Sequence, residues 1–124
     1  MPVPILKQGG ILIACFQEAM SDQDLSQLRD DLTERIGMHH SSGVVIDVSA
    51  LDVVDSFAAL TLRDIAKSSR LRGAETVIAG IQPEVADAMV QLGLSLDGIL
   101  TAHDLDDGME LIAQRVARRR GSDR

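Results

Sequence analysis

The sequence has 124 residues, of which 45% are hydrophobic and 25% are charged, and this is the balance of one soluble globular domain. The formal net charge of −7 and the aromatic content of 2% argue against binding to phosphate backbones and against base stacking on aromatic rings. The single cysteine, Cys15, excludes an internal disulfide and favours a reducing, cytoplasmic compartment. The apolar run at residues 11–15 is too short to span a membrane, so we predict no membrane or targeting segment.

The first half of the chain predicts a hairpin, a helix and a buried strand. Residues 5–8 and 11–16 are apolar-rich runs on either side of a Gly-Gly pair, which favours a tight turn between two strands. Residues 21–38 carry leucines and an isoleucine at helical spacing, and Ser21 and Asp22 are good capping residues at their start. Residues 44–48 are short, β-branched and almost wholly apolar, so we expect a strand that is buried on both faces.

The second half alternates helices and strands. We predict a helix over residues 56–72, a strand over residues 75–79 and a helix that begins at Pro83. Residues 99–100 predict a short last strand, and residues 104–119 predict a final helix with an aspartate cap. Successive strand–helix–strand connections favour a mainly parallel sheet.

These elements predict one domain over residues 1–117. Its fold class is α/β, with a mixed, mainly parallel sheet of four to five strands and about four helices. Residues 118–124 include four arginines, and we expect them to form a basic, frayed tail.

Polar side chains are concentrated between the third strand and the helix that follows it. The segment DVSALDVVDSF (47–57) contains the carboxylates Asp47, Asp52 and Asp55 and the hydroxyls of Ser49 and Ser56. Sites in open α/β sheets gather at the carboxyl ends of parallel strands, so this segment is the candidate functional loop. One interpretation makes Ser56 the N-cap of the next helix. The other makes it a phosphoacceptor, because a helix N-terminus tolerates a phosphate.

Other chemistries are less well supported. The three carboxylates could hold Mg²⁺, but the loop has no lysine or arginine for a phosphoryl group and the chain has no Gly-rich phosphate cradle. We therefore predict no catalytic residue, cofactor or metal site. Phe57 is either a core residue or, if exposed, an anchor for a partner. Cys15 lies in an apolar strand and is expected to be buried. The three histidines are expected to be solvated loop residues.

Two segments resemble the STAS domain family, the fold of anti-anti-sigma factors: VVIDVSALDVVDSFAA (44–59) and GAETVIAGIQPEVADAMVQLGL (73–94). The resemblance extends over residues 4–116, through PILKQGGILIA (4–14) and DLDDGMELI (104–112). The chain is more similar to RsbS-type stressosome scaffolds than to their RsbR-type paralogues. Those paralogues carry threonines where this chain has Ser56 and Ala88, and no sensory domain is expected before residue 4.

The resemblance implies a non-enzymatic scaffold that sequesters an RsbT-type serine/threonine kinase and releases it when Ser56 is phosphorylated. It further implies an RsbR-type STAS paralogue as a co-assembling partner, an RsbX-type phosphatase, and a homodimer that enters a large hetero-oligomer. Ser49 is the reserve acceptor. The alternative is a stand-alone anti-anti-sigma factor, also switched by serine phosphorylation. The expected kinase or partner-contact loop comprises Asp47, Ser49, Asp52, Asp55 and Phe57.

Overall fold

In the residues that the structure describes, five strands form one sheet, in which they lie side by side in chain order. Strands β1 (Ile5–Gln8) and β2 (Ile11–Cys15) form an antiparallel hairpin, and β2 continues in parallel to β3 (Gly43–Asp47), β4 (Glu75–Ala79) and β5 (Leu100–Ala102). The predicted α/β fold with a mainly parallel sheet is therefore confirmed.

This computed structural model describes residues 3–93 and 99–122, with side chains as far as Arg119. The other residues of the predicted domain and tail lie outside these ranges. Four helices are present in the described residues: α1 (Asp22–His39), α2 (Ser56–Leu71), α3 (Pro83–Gln91) and α4 (Leu105–Ser122). Helix α4 continues beyond its predicted end at residue 119, so part of the expected tail has helical backbone.

Helices α1, α2 and α3 cover one face of the sheet. Their apolar side chains recur every three or four residues, and they meet strand residues that point to the same face. Phe16 is only 1% exposed in this core, which is otherwise built from aliphatic side chains and methionine. The buried helix and strand side chains of this face include Leu28, Leu32, Ile36, Leu62, Ile65, Leu12, Val44, Ile46 and Ile78.

A capping box fixes the start of α1. The Ser21 hydroxyl accepts a hydrogen bond from the Asp24 N–H, and the Asp24 carboxylate accepts one from the Ser21 N–H, each at 3.1 Å. The Ser21 N–H, which favours the charged carboxylate, holds the pKa of Asp24 below its ordinary value. The capping role predicted for Ser21 is confirmed.

Helix α4 covers the opposite face at very short range. A Cβ atom at Gly43 would lie 2.5 Å and 2.7 Å from two carbons of Ile112, and one at Gly108 would lie 3.1 Å from Val45. These two glycines let the helix backbone approach β3. Near its C-terminus, the Arg119 side chain donates to the Gly73 carbonyl and forms an ion pair with Glu75 at the start of β4.

Candidate functional site

Residues 48–55 form the loop between β3 and α2, hereafter the acceptor loop, at the carboxyl edge of the sheet. Two buried side chains anchor it, Leu51 at 7% exposure and Val54 at 5%. The Leu51 N–H donates to the Val48 carbonyl at 3.0 Å and closes a turn. Between the anchors, Asp52 is exposed and Val53 is 79% exposed. The loop therefore has a fixed base and an accessible tip.

Asp55, not Ser56, is the N-cap of α2. Its Oδ1 atom accepts a hydrogen bond from the Ala58 N–H at 2.8 Å, and its extended backbone has φ −92° and ψ 174°. The interpretation of Ser56 as an N-cap is therefore wrong. Ser56 is the first helical residue, and its side chain is exposed. Within residues 3–93 and 99–122, no hydrogen bond involves the Ser56 hydroxyl.

The position of Ser56 suits a negatively charged group. The first N–H groups of a helix have no intrahelical partner, and the helix dipole places partial positive charge there. A phosphate on Ser56 would carry about −1.5 to −2 charge beside these groups. The negative charges of Asp52 and Asp55 would repel the phosphate, but both side chains are exposed, so water and salt screen the repulsion.

The start of the acceptor loop is tied to the loop between β4 and α3. The Ser49 N–H donates to Asp47 Oδ1 at 2.9 Å, and the Ser49 carbonyl accepts from Gln82 Nε2 at 2.8 Å. Gly80 has φ +76°, and a Cβ atom on it would lie 2.8 Å from the Ser49 Cβ atom. Gln82 and Gly80 were not among the predicted site residues, although both lie in the GIQP part of the family-like segment.

The three carboxylates of the loop do not converge. The Asp47 carboxylate accepts a hydrogen bond from the Ser49 N–H, the Asp55 carboxylate caps α2, and Asp52 is exposed. Among the described residues, no three His, Cys, Asp or Glu side chains are grouped closely enough to hold a metal ion. The arrangement does not support the magnesium alternative. Phe57 is half-buried and packs against the core, and its contact with a partner stays a prediction.

Cys15 ends β2 at the same edge, paired in register with Asp47 of β3. Its side chain is exposed, so the expectation that it is buried is wrong. Partial burial of the sulfur raises the pKa of the Cys15 thiol, and the nearby Asp47 carboxylate raises it further. The thiol is thus accessible but poorly ionised. His39, His40 and His103 are exposed as predicted, but His39 is the last residue of α1 and not a loop residue.

A cleft of about 210 Å³ opens beside the acceptor loop. Apolar side chains from the β2–α1 connection, α1, the acceptor loop and α2 line its wall, and Glu18 and Asp55 provide its acidic groups. It lies between the β2–α1 connection and the acceptor loop, two segments distant in the sequence, so sequence reasoning missed it. The apolar lining comprises Phe16, Met20, Leu25, Leu51, Val53 and Ala58.

Known structures share this architecture over nearly the whole chain. A serine-to-glutamate variant of RsbS from Moorella thermoacetica is 36% identical, with a TM-score of 0.84, and the match covers 94% of this chain and 97% of that one. A chain from a structure of the stressosome, described as a signal integration and transduction hub, is 36% identical, with a TM-score of 0.82. That match covers 93% of this chain and 99% of the stressosome chain.

Curated relatives and a family model agree with these structures. RsbRA of Bacillus subtilis (strain 168), named an RsbT co-antagonist protein, is 30% identical over 93 residues, which are 75% of this chain. The chain spans only 34% of that relative's length. No helix in the described ranges is long and apolar enough to cross a bilayer. The RsbS-type resemblance predicted from the sequence is confirmed, and the STAS domain model matches residues 3–107. The chain therefore belongs to the STAS domain family.

Proposed function

We propose that this chain is a non-enzymatic regulatory scaffold of a stressosome-like complex. It holds an RsbT-type serine/threonine kinase and releases it when Ser56 is phosphorylated. The observation that carries the proposal is at the start of α2, where Asp55 caps the helix and the exposed Ser56 hydroxyl has no hydrogen-bond partner among the described residues. Phosphorylation of Ser56 would therefore leave the N-cap of α2 in place.

The similar proteins indicate the partners. A chain of the stressosome and RsbS match this chain over nearly their full length, and the RsbR-type relatives are named RsbT co-antagonists. We infer a cytoplasmic complex with an RsbR-type paralogue, in which this chain contributes as a homodimer. An RsbX-type phosphatase would reset the switch. The catalytic base and nucleotide site belong to the kinase.

The proposed switch is electrostatic. A phosphate on Ser56 adds about −1.5 to −2 charge to a surface that already presents Asp52 and Asp55. The helix N-terminus stabilises that charge within the scaffold. A kinase docked on the loop then faces a more negative electrostatic potential, and this change weakens the complex without unfolding the scaffold.

The first experiment incubates the chain with an RsbT-type kinase, ATP and Mg²⁺, and maps the product by intact-mass and peptide mass spectrometry. We expect one phosphoryl group on Ser56 and none on Ser56→Ala. Kinase capture should persist with Ser56→Ala and weaken with Ser56→Glu. Gln91→Glu is the matched control, since it adds a negative charge at an exposed residue at the C-terminal end of α3, outside the acceptor loop. If Gln91→Glu releases the kinase as well as Ser56→Glu does, Ser56 is not the specific switch.

The alternative function is a stand-alone anti-anti-sigma factor that binds an anti-sigma kinase directly. Particle size separates the two functions. Mixing the chain with an RsbR-type paralogue should give a megadalton-scale particle by light scattering if the scaffold proposal holds. A mixture that stays at the size of its separate components would favour the stand-alone switch.

A further inference from the structure

We propose that Gln82 is a positioning residue for the phosphorylation of Ser56. Its side-chain amide braces the start of the acceptor loop from the neighbouring β4–α3 loop, and so holds the loop in the form that the kinase recognises. This inference rests on the proposed function, because it concerns how the same serine is presented.

Ser49, at the start of the acceptor loop, takes part in two hydrogen bonds and lies close to Gly80. Its N–H donates to Asp47 within the same strand-to-loop segment, at 2.9 Å. Its carbonyl accepts from Gln82 Nε2 at 2.8 Å, a contact between residues 33 positions apart. Its Cα and Cβ atoms lie 3.4 Å and 2.8 Å from the place where a Cβ atom of Gly80 would be. The missing side chain at Gly80 lets the two loops approach closely enough for the Gln82 bond.

The role of Gln82 in its own helix is unusual. It is the N-cap of α3, and its carbonyl accepts the first helical hydrogen bond, from the Ala86 N–H at 2.9 Å. N-cap side chains commonly bond to their own helix, and serine, threonine, aspartate and asparagine are preferred for this. The Gln82 side chain makes no such bond and reaches Ser49 instead. The chain therefore gives up a side-chain cap on α3 and gains a link between the loops.

The link acts at one end of a segment that Asp55 fixes at the other. Between the ends, the buried Leu51 and Val54 hold the base of the loop, while its tip has no such support. Loss of the Gln82 bond would leave the Ser49 carbonyl to solvent. The Val48 N–H would still donate to the Ala79 carbonyl at 2.9 Å, and the Ser49 N–H to Asp47, so the added freedom begins at the Ser49 carbonyl. We expect more loop conformations in the free protein, with only a fraction suited to the kinase.

This mechanism predicts a specific kinetic signature. When only a fraction of the free molecules is competent to bind, apparent affinity falls by that fraction, and steps after binding are unaffected. A lost hydrogen bond of ordinary strength corresponds to about a fivefold to tenfold change. For Gln82→Ala we expect the KM of Ser56 phosphorylation to rise by about that factor with kcat within about twofold of the wild type.

Three variants test the brace. Gln82→Ala removes the donor, and Gln82→Glu keeps the shape of the side chain but places a carboxylate against the Ser49 carbonyl. Gln91→Ala is the matched control, because Gln91 is an exposed glutamine at the other end of α3. Steady-state phosphorylation by an RsbT-type kinase should give a raised KM for both Gln82 variants and wild-type values for the control. Thermal unfolding of each variant establishes that the fold is intact.

Hydrogen exchange gives a readout that does not depend on the kinase. The amides of residues 49–53 should exchange faster in both Gln82 variants than in the wild type and in Gln91→Ala. If the wild type is phosphorylated on Ser56 and the KM is unchanged in the Gln82 variants, the inference about Gln82 is wrong and the proposed function still stands. If the wild type is not phosphorylated, the proposed function fails, and unchanged exchange in the Gln82 variants would separately refute the brace.

Discussion

Replacement of Asp55 tests whether Asp55, and not Ser56, caps α2. The Asp55 carboxylate accepts the Ala58 N–H at 2.8 Å, and loss of an N-cap of this kind costs about 1 kcal/mol. Its charge near the helix N-terminus adds about 0.3–1 kcal/mol, towards the lower end because the side chain is exposed. We expect Asp55→Ala to lower the free energy of unfolding by about 1–2 kcal/mol.

Two further variants separate the cap from the charge. Asp55→Asn keeps a capping oxygen and removes the charge, so we expect a loss of only about 0.3–0.5 kcal/mol. Asp52→Ala removes an exposed aspartate of the same loop that lies before the cap position, and should change stability by less than about 0.5 kcal/mol. Urea unfolding followed by circular dichroism measures these differences, provided that the m-value is unchanged.

The pattern of the three results decides whether the reasoning holds. Equal losses for Asp55→Ala and Asp55→Asn would mean that charge, not the cap, is what Asp55 contributes. A loss below about 0.3 kcal/mol for Asp55→Ala would mean that another group caps the helix. Ser56 would then be the candidate for that cap, and its hydroxyl would have a structural role.

Three other predictions concern packing, stability and reactivity. Gly43→Ala should cost about 1–3 kcal/mol because its methyl group would overlap Ile112, and adding Ile112→Ala should cost less than the sum of the single changes. Ser56→Ala and Ser56→Glu should each stay within about 0.5 kcal/mol of the wild type. Cys15 should react with a disulfide reagent at pH 8 more slowly than free glutathione, and Asp47→Asn should speed it by lowering the thiol pKa.

Each of these predictions has a clear contrary result. Additive losses in the packing cycle would show that Gly43 and Ile112 do not meet. A Ser56 variant that loses more than about 1 kcal/mol would reveal a structural role for the hydroxyl. A Cys15 thiol that reacts as fast as glutathione would show that its environment does not disfavour the thiolate.

The sequence predicted the order of strands and helices because its signals are local. A Gly-Gly pair between apolar runs indicates the β1–β2 turn, and the structure gives Gly9 a φ of +60° there. The β-branched run of β3 indicates burial on both faces, and four of its five residues are buried. Cys15 was placed wrongly because the apolar run does not show where the strand ends, and the last residue of β2 is exposed.

The candidate loop was predictable, but its internal arrangement was not. Asp55 and Ser56 are both residue types that cap helices, so capping preference alone does not show which of them precedes α2, and the interpretation of Ser56 as the cap was wrong. The buried Val54 and the Asp55 bond to Ala58 decide between them. The link from Gln82 to Ser49 joins residues 33 apart and depends on the register of β3 and β4. Such a contact follows from tertiary structure and has no local sequence signal.

The position of α4 has a consequence for the order of folding during synthesis. Helix α4 follows all five strands in the chain, yet it covers the sheet face that carries Val45 and Val77. Until the ribosome has released α4, that face lacks its cover and offers apolar surface to other chains. A product truncated before Leu105 would keep its acceptor loop and lose this cover, so we expect it to aggregate during synthesis.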